Sequence, residues 1–288
     1  MIYVSTSNGV LVYDPATDSI TPIIESSHKK FGFPGIALQE TTGKIIVVER
    51  KKLRFSPFQR LSTDVRVHQI DPDTNRIEPI CPVFRVYDGH NTTVYNQFCF
   101  LTDTGRNRVH VVDLETGKVT RILNIGTVRS DIHHINAVRV WRDDLLIGLN
   151  NRQKKESEIL AVPLSRIFAE GGLEMDLDAQ SNVTQITGIT HAHEIVPYQG
   201  RLIGCASLAG QVIRLDTSEV LVQTEGWVRG LAPSEAGLWV GISNIAQRDD
   251  RHAKENQGRI VLYGHETMKP LKTVVLEAVG QISAMISL

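Results

Sequence analysis

Nothing in this sequence stands out by excess. Cysteine is scarce: Cys81, Cys99 and Cys205 are an odd number without close spacing, which supports neither a disulfide framework nor a zinc knuckle. Cys99 and Cys205 lie inside apolar runs and are expected to be buried thiols. Charge of one sign is missing as well. The 31 Lys and Arg residues nearly balance the 32 Asp and Glu residues, with no long block of either. A nucleic-acid partner, which would leave a basic footprint, is therefore not expected. No apolar stretch reaches the ~20 residues needed to cross a bilayer, so no membrane partner is expected either. The opening MIYVSTSNGVLVYD has neither a basic n-region nor a long apolar h-region, and a cytoplasmic location is the expectation it sets. A glycine-rich phosphate loop, a G-x-S-x-G elbow, HExxH and CxxC are all lacking.

What is present is a rhythm of short apolar runs. The hydrophobic fraction is 41%, enough for a sizeable core. Met1 to Ile24 runs apolar strand, Asn8-Gly9 turn, apolar strand, Asp14-Pro15-Ala16-Thr17-Asp18 turn, apolar strand. Such runs bounded by turn residues predict antiparallel hairpins. The strand–Asp–turn–strand shape returns at His68–Ile80, His110–Leu123 and Gln211–Gln223. In these turns Asp is suited to accept its own following backbone N–H groups.

A second piece precedes these hairpins: a short apolar strand, a polar turn and a longer apolar strand. Copies read GIALQETTGKIIVVE (Gly35–Glu49), INAVRVWRDDLLIGLN (Ile135–Asn150), HEIVPYQGRLIGCAS (His193–Ser207) and RGLAPSEAGLWVGIS (Arg229–Ser243). HNTTVYNQFCFLTD (His90–Asp103) is a less regular copy. Four-stranded units repeated around an axis are the blades of a β-propeller. Inner-strand candidates near Ile36, Thr93, Ala137, Ile195, Leu231 and Ala284 give six blades. The C-terminal GQISAMISL would be a lone inner strand that pairs with the N-terminal strands and removes the open edges. The expected fold is thus all-β, a single six-bladed β-propeller domain over residues 1–288. Leu164–Gly172 reads as a helical turn with a glycine stop, and Ala246–Gly258 as a long polar loop.

Inner strands line a propeller's channel, so residues that open them converge although they are distant in sequence. Registered on their apolar residues, Asn136, His193 and Arg229 fall at equivalent positions, and His134, His191 and Trp227 one pleat earlier on the same face. His90 enters blade two at about this level, while His133 and Glu194 are expected on the opposite face, between blades. Three readings follow. Imidazoles of His90, His134, His191 and His193 would hold one divalent metal ion, with Asn136 as an oxygen ligand or orienter. Alternatively His134 and His193 act as general base and acid, with Asn136, Arg229, His90 and Trp227 binding a small polar or anionic molecule. In the third, these side chains satisfy channel waters and strand ends, and the propeller is a non-catalytic platform for a ligand or a protein. His252 and His265 have no partners at ligand spacing, and Trp239 reads as core.

With the repeats laid out, the chain resembles six-bladed propellers of the lactonase/strictosidine-synthase kind, and Asp103–Asp113 (DTGRNRVHVVD) is similar to their blades and to NHL-type repeats. The gluconolactonase branch of that resemblance implies a calcium ion held in the channel by Glu, Asn and Asp. Here the first blade offers Gly35-Ile36 where an acid would be expected, and the mouth is rich in histidine, whereas calcium prefers oxygen. A further resemblance, over Asp131–Gln247, is to bacterial propellers whose successive blades open with His-x-Asn, a His-Ser/His-x-Pro entry and Arg-Gly-Leu-Ala. The matching residues are His134-Ile135-Asn136, His191-Ala192-His193 and Arg229-Gly230-Leu231-Ala232.

Overall fold

The computed structural model of the protein describes residues 1–288 apart from 27–31, 57–58, 127–130, 170, 247–249, 251–252 and 254–255, and the backbone alone of 51–56, 59–63 and 153. The inner strands form where the apolar runs predicted them: Gly35–Gln39, Thr92–Tyr95, Ile135–Trp141, Ala192–Tyr198, Trp227–Ser234 and Ile282–Ser287. Each starts one of six sheets, numbered here as blades one to six in that order.

The sixth blade closes the ring. Ile282–Ser287 pairs antiparallel with Ile2–Thr6, bringing Met285 opposite Val4 and Ala284 opposite Ser5. Gly9–Asp14 and Ser19–Glu25 complete this blade, so the two ends of the chain share one sheet. The chain termini themselves are joined, Leu288 N–H donating to the Met1 carbonyl at 2.9 Å.

Between blades lies the core. Six apolar clusters correspond to the six junctions, each built from two neighbouring sheets. Between blades five and six, for example, Trp239 packs edge-on against Tyr13 with ring centroids 5.5 Å apart. Alternation supplies these layers, since successive side chains of a strand serve the junctions on its two sides. All three cysteines are buried and free, in line with their apolar settings.

The repeated Asp turns behave as their composition requires. Asp14 accepts the Ala16 N–H, Asp71 the Asp73 N–H and Asp113 the Glu115 N–H, at 2.9, 3.0 and 2.9 Å. Four residues on from each Asp the backbone is left-handed, at Asp18, Asn75 and Gly117.

Two departures from uniform four-stranded blades arise in blades one and two. The helical turn, Leu164–Ala169, buries Leu164 and Ile167 and lays Phe168 against Phe98 with centroids 4.8 Å apart. It leads to Glu174–Leu177, which leaves blade three and joins blade two as a parallel fifth strand. Blade one carries long strands, Lys44–Ser56 and Gln59–Ile70, and the latter also pairs with Phe84–Val86. Within Ala246–Gly258 much of the segment, His252 included, lies outside the described residues.

Candidate functional site

The inner strands do not run straight into the channel mouth. Ile135–Trp141, Ala192–Tyr198 and Trp227–Ser234 each carry a β-bulge where they approach it. Glycines face the bulges from the second strands, and a Cβ on Gly241 would lie 2.3 Å from the Arg229 carbonyl oxygen. The bulge therefore presses strand backbones together at a point only glycine permits.

Counting from the paired residues beyond each bulge sets a register different from the apolar one. Val138, Val196 and Leu231 face Ile147, Ile203 and Val240, so Asn136, Glu194 and Arg229 share one level. His193 stands one residue earlier, opposite Cys205. The extra residue in the bulge turned what reads as a between-blade glutamate into a channel residue. Glu194 of blade four accepts the Gly230 N–H of blade five at 3.2 Å and also bonds Asn91 of blade two. Blades two and four are not neighbours, so these side chains meet across the axis. Asn91 in turn accepts the Val138 N–H at 3.2 Å.

Above this ring opens a cavity of about 370 Å³. His90, His134, His191, His193, Trp227 and Arg229 all line it. Asn136 does not: it is 2% exposed at the deeper level, with neither amide atom bonded among the described residues. The short 3-10 turns that follow the second strands add lining side chains, Arg152 from blade three and Ser207 and Leu208 from blade four. Ser207 is 2% exposed and its hydroxyl finds no protein partner among the described residues.

Each imidazole is fixed by its hydrogen bonds. His134 Nδ1–H donates to the Asp131 carboxylate at 3.1 Å, and Arg152 binds the same carboxylate. Asp131, only 6% exposed, was not among the residues singled out from sequence; its place three residues before His134 was the available signal. His90 Nδ1–H donates to the Asp88 carbonyl at 2.7 Å, and its ring meets that of His134 edge-on at 5.3 Å. A proton held on Nδ1 leaves Nε2 of both rings as an acceptor. His193 differs: Nδ1–H donates to the His191 carbonyl at 3.1 Å, and Nε2 accepts from Arg229 Nη2 at 3.3 Å. Arg229 also lies 5.5 Å over the Trp227 ring.

This geometry does not build the four-histidine metal set. Among the described residues no three His, Cys, Asp or Glu side chains are placed to hold one ion. His193 Nε2 faces a guanidinium, and His191 Nδ1 is engaged by the Thr190 carbonyl at 2.6 Å. Of the weaker candidates, His265 bonds the Tyr198 hydroxyl at 2.9 Å, away from the cavity.

Electrostatics keeps two of these imidazoles, His90 and His193, neutral. Burial, with the nearby charges of Arg50 and Arg229, pushes His90 down to about 3 against the pull of Asp88. Burial and Arg229 likewise lower His193. Burial raises the Glu194 carboxyl to about 7, against the pull of the Gly230 N–H and the charges of Arg139 and Arg229.

These shifts predict a pH-dependent stability. A histidine depressed in the fold binds fewer protons there than in the unfolded chain, so its contribution is full above about pH 6.5 and falls as pH drops towards 3. Glu194 has the opposite sign, its contribution being lost as pH rises from 4.5 towards 7. Below pH 6.5 two histidines outweigh one glutamate, and melting temperature should fall. His90→Gln should flatten this limb by about one proton, ~1.4 kcal/mol per pH unit. An unaltered slope in urea titrations across the range would show that His90 titrates normally.

The fold and mouth together define a six-bladed β-propeller with a polar channel site. Solved structures to which the chain is similar over nearly its full length include the following three. One is the nidogen/laminin complex (TM-score 0.66, 9% identity, covering 99% of this chain and 96% of that one). Another is a Bacteroides caccae protein of unknown function (0.61, 15%, 99% and 97%). The third is the Pseudomonas aeruginosa periplasmic gluconolactonase PpgL (0.63, 13%, 99% and 97%). At these identities the likeness is one of fold. No protein-family model matches the sequence, and no curated protein matches it significantly.

Proposed function

We propose that the protein is an enzyme that binds a small anionic molecule at the channel mouth and turns it over by hydrolase- or lyase-type acid/base chemistry. The observation that carries this reading is the Asp131–His134 pair opening on the same cavity as Arg229. A carboxylate that accepts the Nδ1 proton holds Nε2 as the basic nitrogen, and stabilises the imidazolium once Nε2 has taken a proton. Arg229 supplies a fixed positive charge for a ligand anion or for negative charge that develops during reaction.

The charge balance favours an anion. Arg50, Arg152 and Arg229 act at the mouth against the carboxylates of Asp88 and Asp131, with His90 and His193 neutral. The unpartnered Ser207 hydroxyl is a further group for the ligand to satisfy. A gluconolactonase among structures of the same fold is consistent with hydrolysis, at the level of analogy.

The test is a thermal-shift screen of small carboxylates, phosphate esters and lactones, followed by mass spectrometry of any stabilising compound after incubation. A bound ligand stabilises the fold by about 2.7 kcal/mol at a hundred times its Kd, which gives a clear shift. Conversion by the wild type is the expected result. A compound that binds the cavity and survives unchanged would favour the non-catalytic platform.

A further inference from the structure

The resemblance to gluconolactonases implies a calcium ion held in the channel by Glu, Asn and Asp, and the ring one level below the mouth is where this chain brings Glu194 and Asn91 together. The donor set found there does not suit it. Blades three to five contribute Asn136, Glu194 and Arg229 by register, and blade two contributes Asn91 through its bonds to Val138 and Glu194. Blade six contributes Ser283, in the same bulged register between Ile282 and Ala284. Calcium takes six to eight oxygens, several of them anionic. Here Asn91 Oδ1 already accepts the Val138 N–H, and Glu194 accepts both the Gly230 N–H and a bond from Asn91. The remaining amide, Asn136, is neutral.

The decisive member is Arg229. Its backbone belongs to this ring, and its guanidinium rises to His193 Nε2 at 3.3 Å. Its charge acts on both tiers, on His90 and His193 above and on Glu194 below. A divalent ion placed with Asn136 and Glu194 would sit beside that charge, with one carboxylate to offset it.

We propose that the guanidinium of Arg229 takes the place of a metal ion as the fixed cation of this channel, and that the site binds the carboxylate or phosphate group of its ligand without a metal. This rests on the anion-binding part of the function proposed above and is independent of catalysis by His134. The positive charge of Arg229 then attracts the ligand anion, and the neutral imidazole of His90, its Nδ1–H given to the Asp88 carbonyl, accepts from a ligand hydroxyl group through Nε2. The Ser207 hydroxyl, unpartnered at the same wall, completes the polar contacts.

The experiment uses the full chain with calcium, magnesium, EDTA, inorganic phosphate and acetate as probes. Wild-type protein should contain substoichiometric divalent metal by elemental analysis and melt at the same temperature with EDTA or calcium. Phosphate or acetate should raise its melting temperature, and the two probes separate a phosphate from a carboxylate preference. Arg229→Met should abolish that rise, while Arg229→Lys should keep part of it. Arg229→Asp places a second carboxylate beside Glu194 and Asn136, and should gain a calcium-dependent rise that the wild type lacks. One equivalent of divalent metal in the wild type, with a melting temperature that EDTA lowers, would overturn the proposal. So would anion stabilisation that persists in Arg229→Met. Neither outcome touches the role of His134, which is read by turnover.

Discussion

Deleting residues 281–288 should leave a chain that no longer unfolds cooperatively. The deletion removes the whole inner strand Ile282–Ser287. Ile282, Ala284 and Met285 are 0%, 1% and 2% exposed and belong to the layers on both sides of blade six. Losing a buried Ile or Met side chain costs about 2–5 kcal/mol each. The deletion also bares the edge of Ile2–Thr6 and removes the bond from the Ser7 N–H to the Gln281 carbonyl at 2.8 Å. Typical domains have only about 5–15 kcal/mol in total. Urea unfolding followed by circular dichroism should therefore lose its sigmoid transition. A permutant that places 281–288 directly before Met1 is the control, since the two ends are already hydrogen-bonded neighbours in one sheet. It should fold, because the blade is then complete in one stretch of chain. A truncation with wild-type melting would sink the closure argument.

The ring was legible because its signals are local and repeated. The Asp turns at Asp14, Asp71 and Asp113 fix hairpins by their own side-chain bonds, and apolar alternation fixes strands between them. Neither signal reports a bulge. Aligning apolar residues placed His193 level with Asn136 and Arg229, whereas one extra residue puts Glu194 there. A clue was present in Gly148, Gly204 and Gly241, which recur in the second strands opposite the bulges. The parallel strand Glu174–Leu177 was illegible for another reason: its partner in blade two is about fifty residues away in sequence, and it is held there by tertiary pairing and by Asn124 bonding Glu174 and Asp176. Asp131 carries no such signal, because it lies outside the repeat.

On the compound that the ligand screen returns, Asp131→Asn should lower kcat by about 100- to 10,000-fold with little change in KM. Asp131 is buried and its carboxylate accepts the Nδ1 proton of His134 at 3.1 Å. An asparagine amide can donate to Nδ1 instead, which moves the proton to Nε2 and removes the base without emptying the position. His134→Gln should cost as much, and the double variant no more than either, because the two residues act as one unit. The limb of the pH–rate profile that reports the free base should vanish in both single variants. Arg152 bonds the same carboxylate from a side chain 44% exposed, so Arg152→Gln should change kcat only a few-fold. A purely structural pair would behave otherwise: melting temperature would fall while kcat and its pH dependence stayed put. Additive losses in the double variant would equally separate Asp131 from His134, leaving His134 to find its orientation from the His90 ring against it.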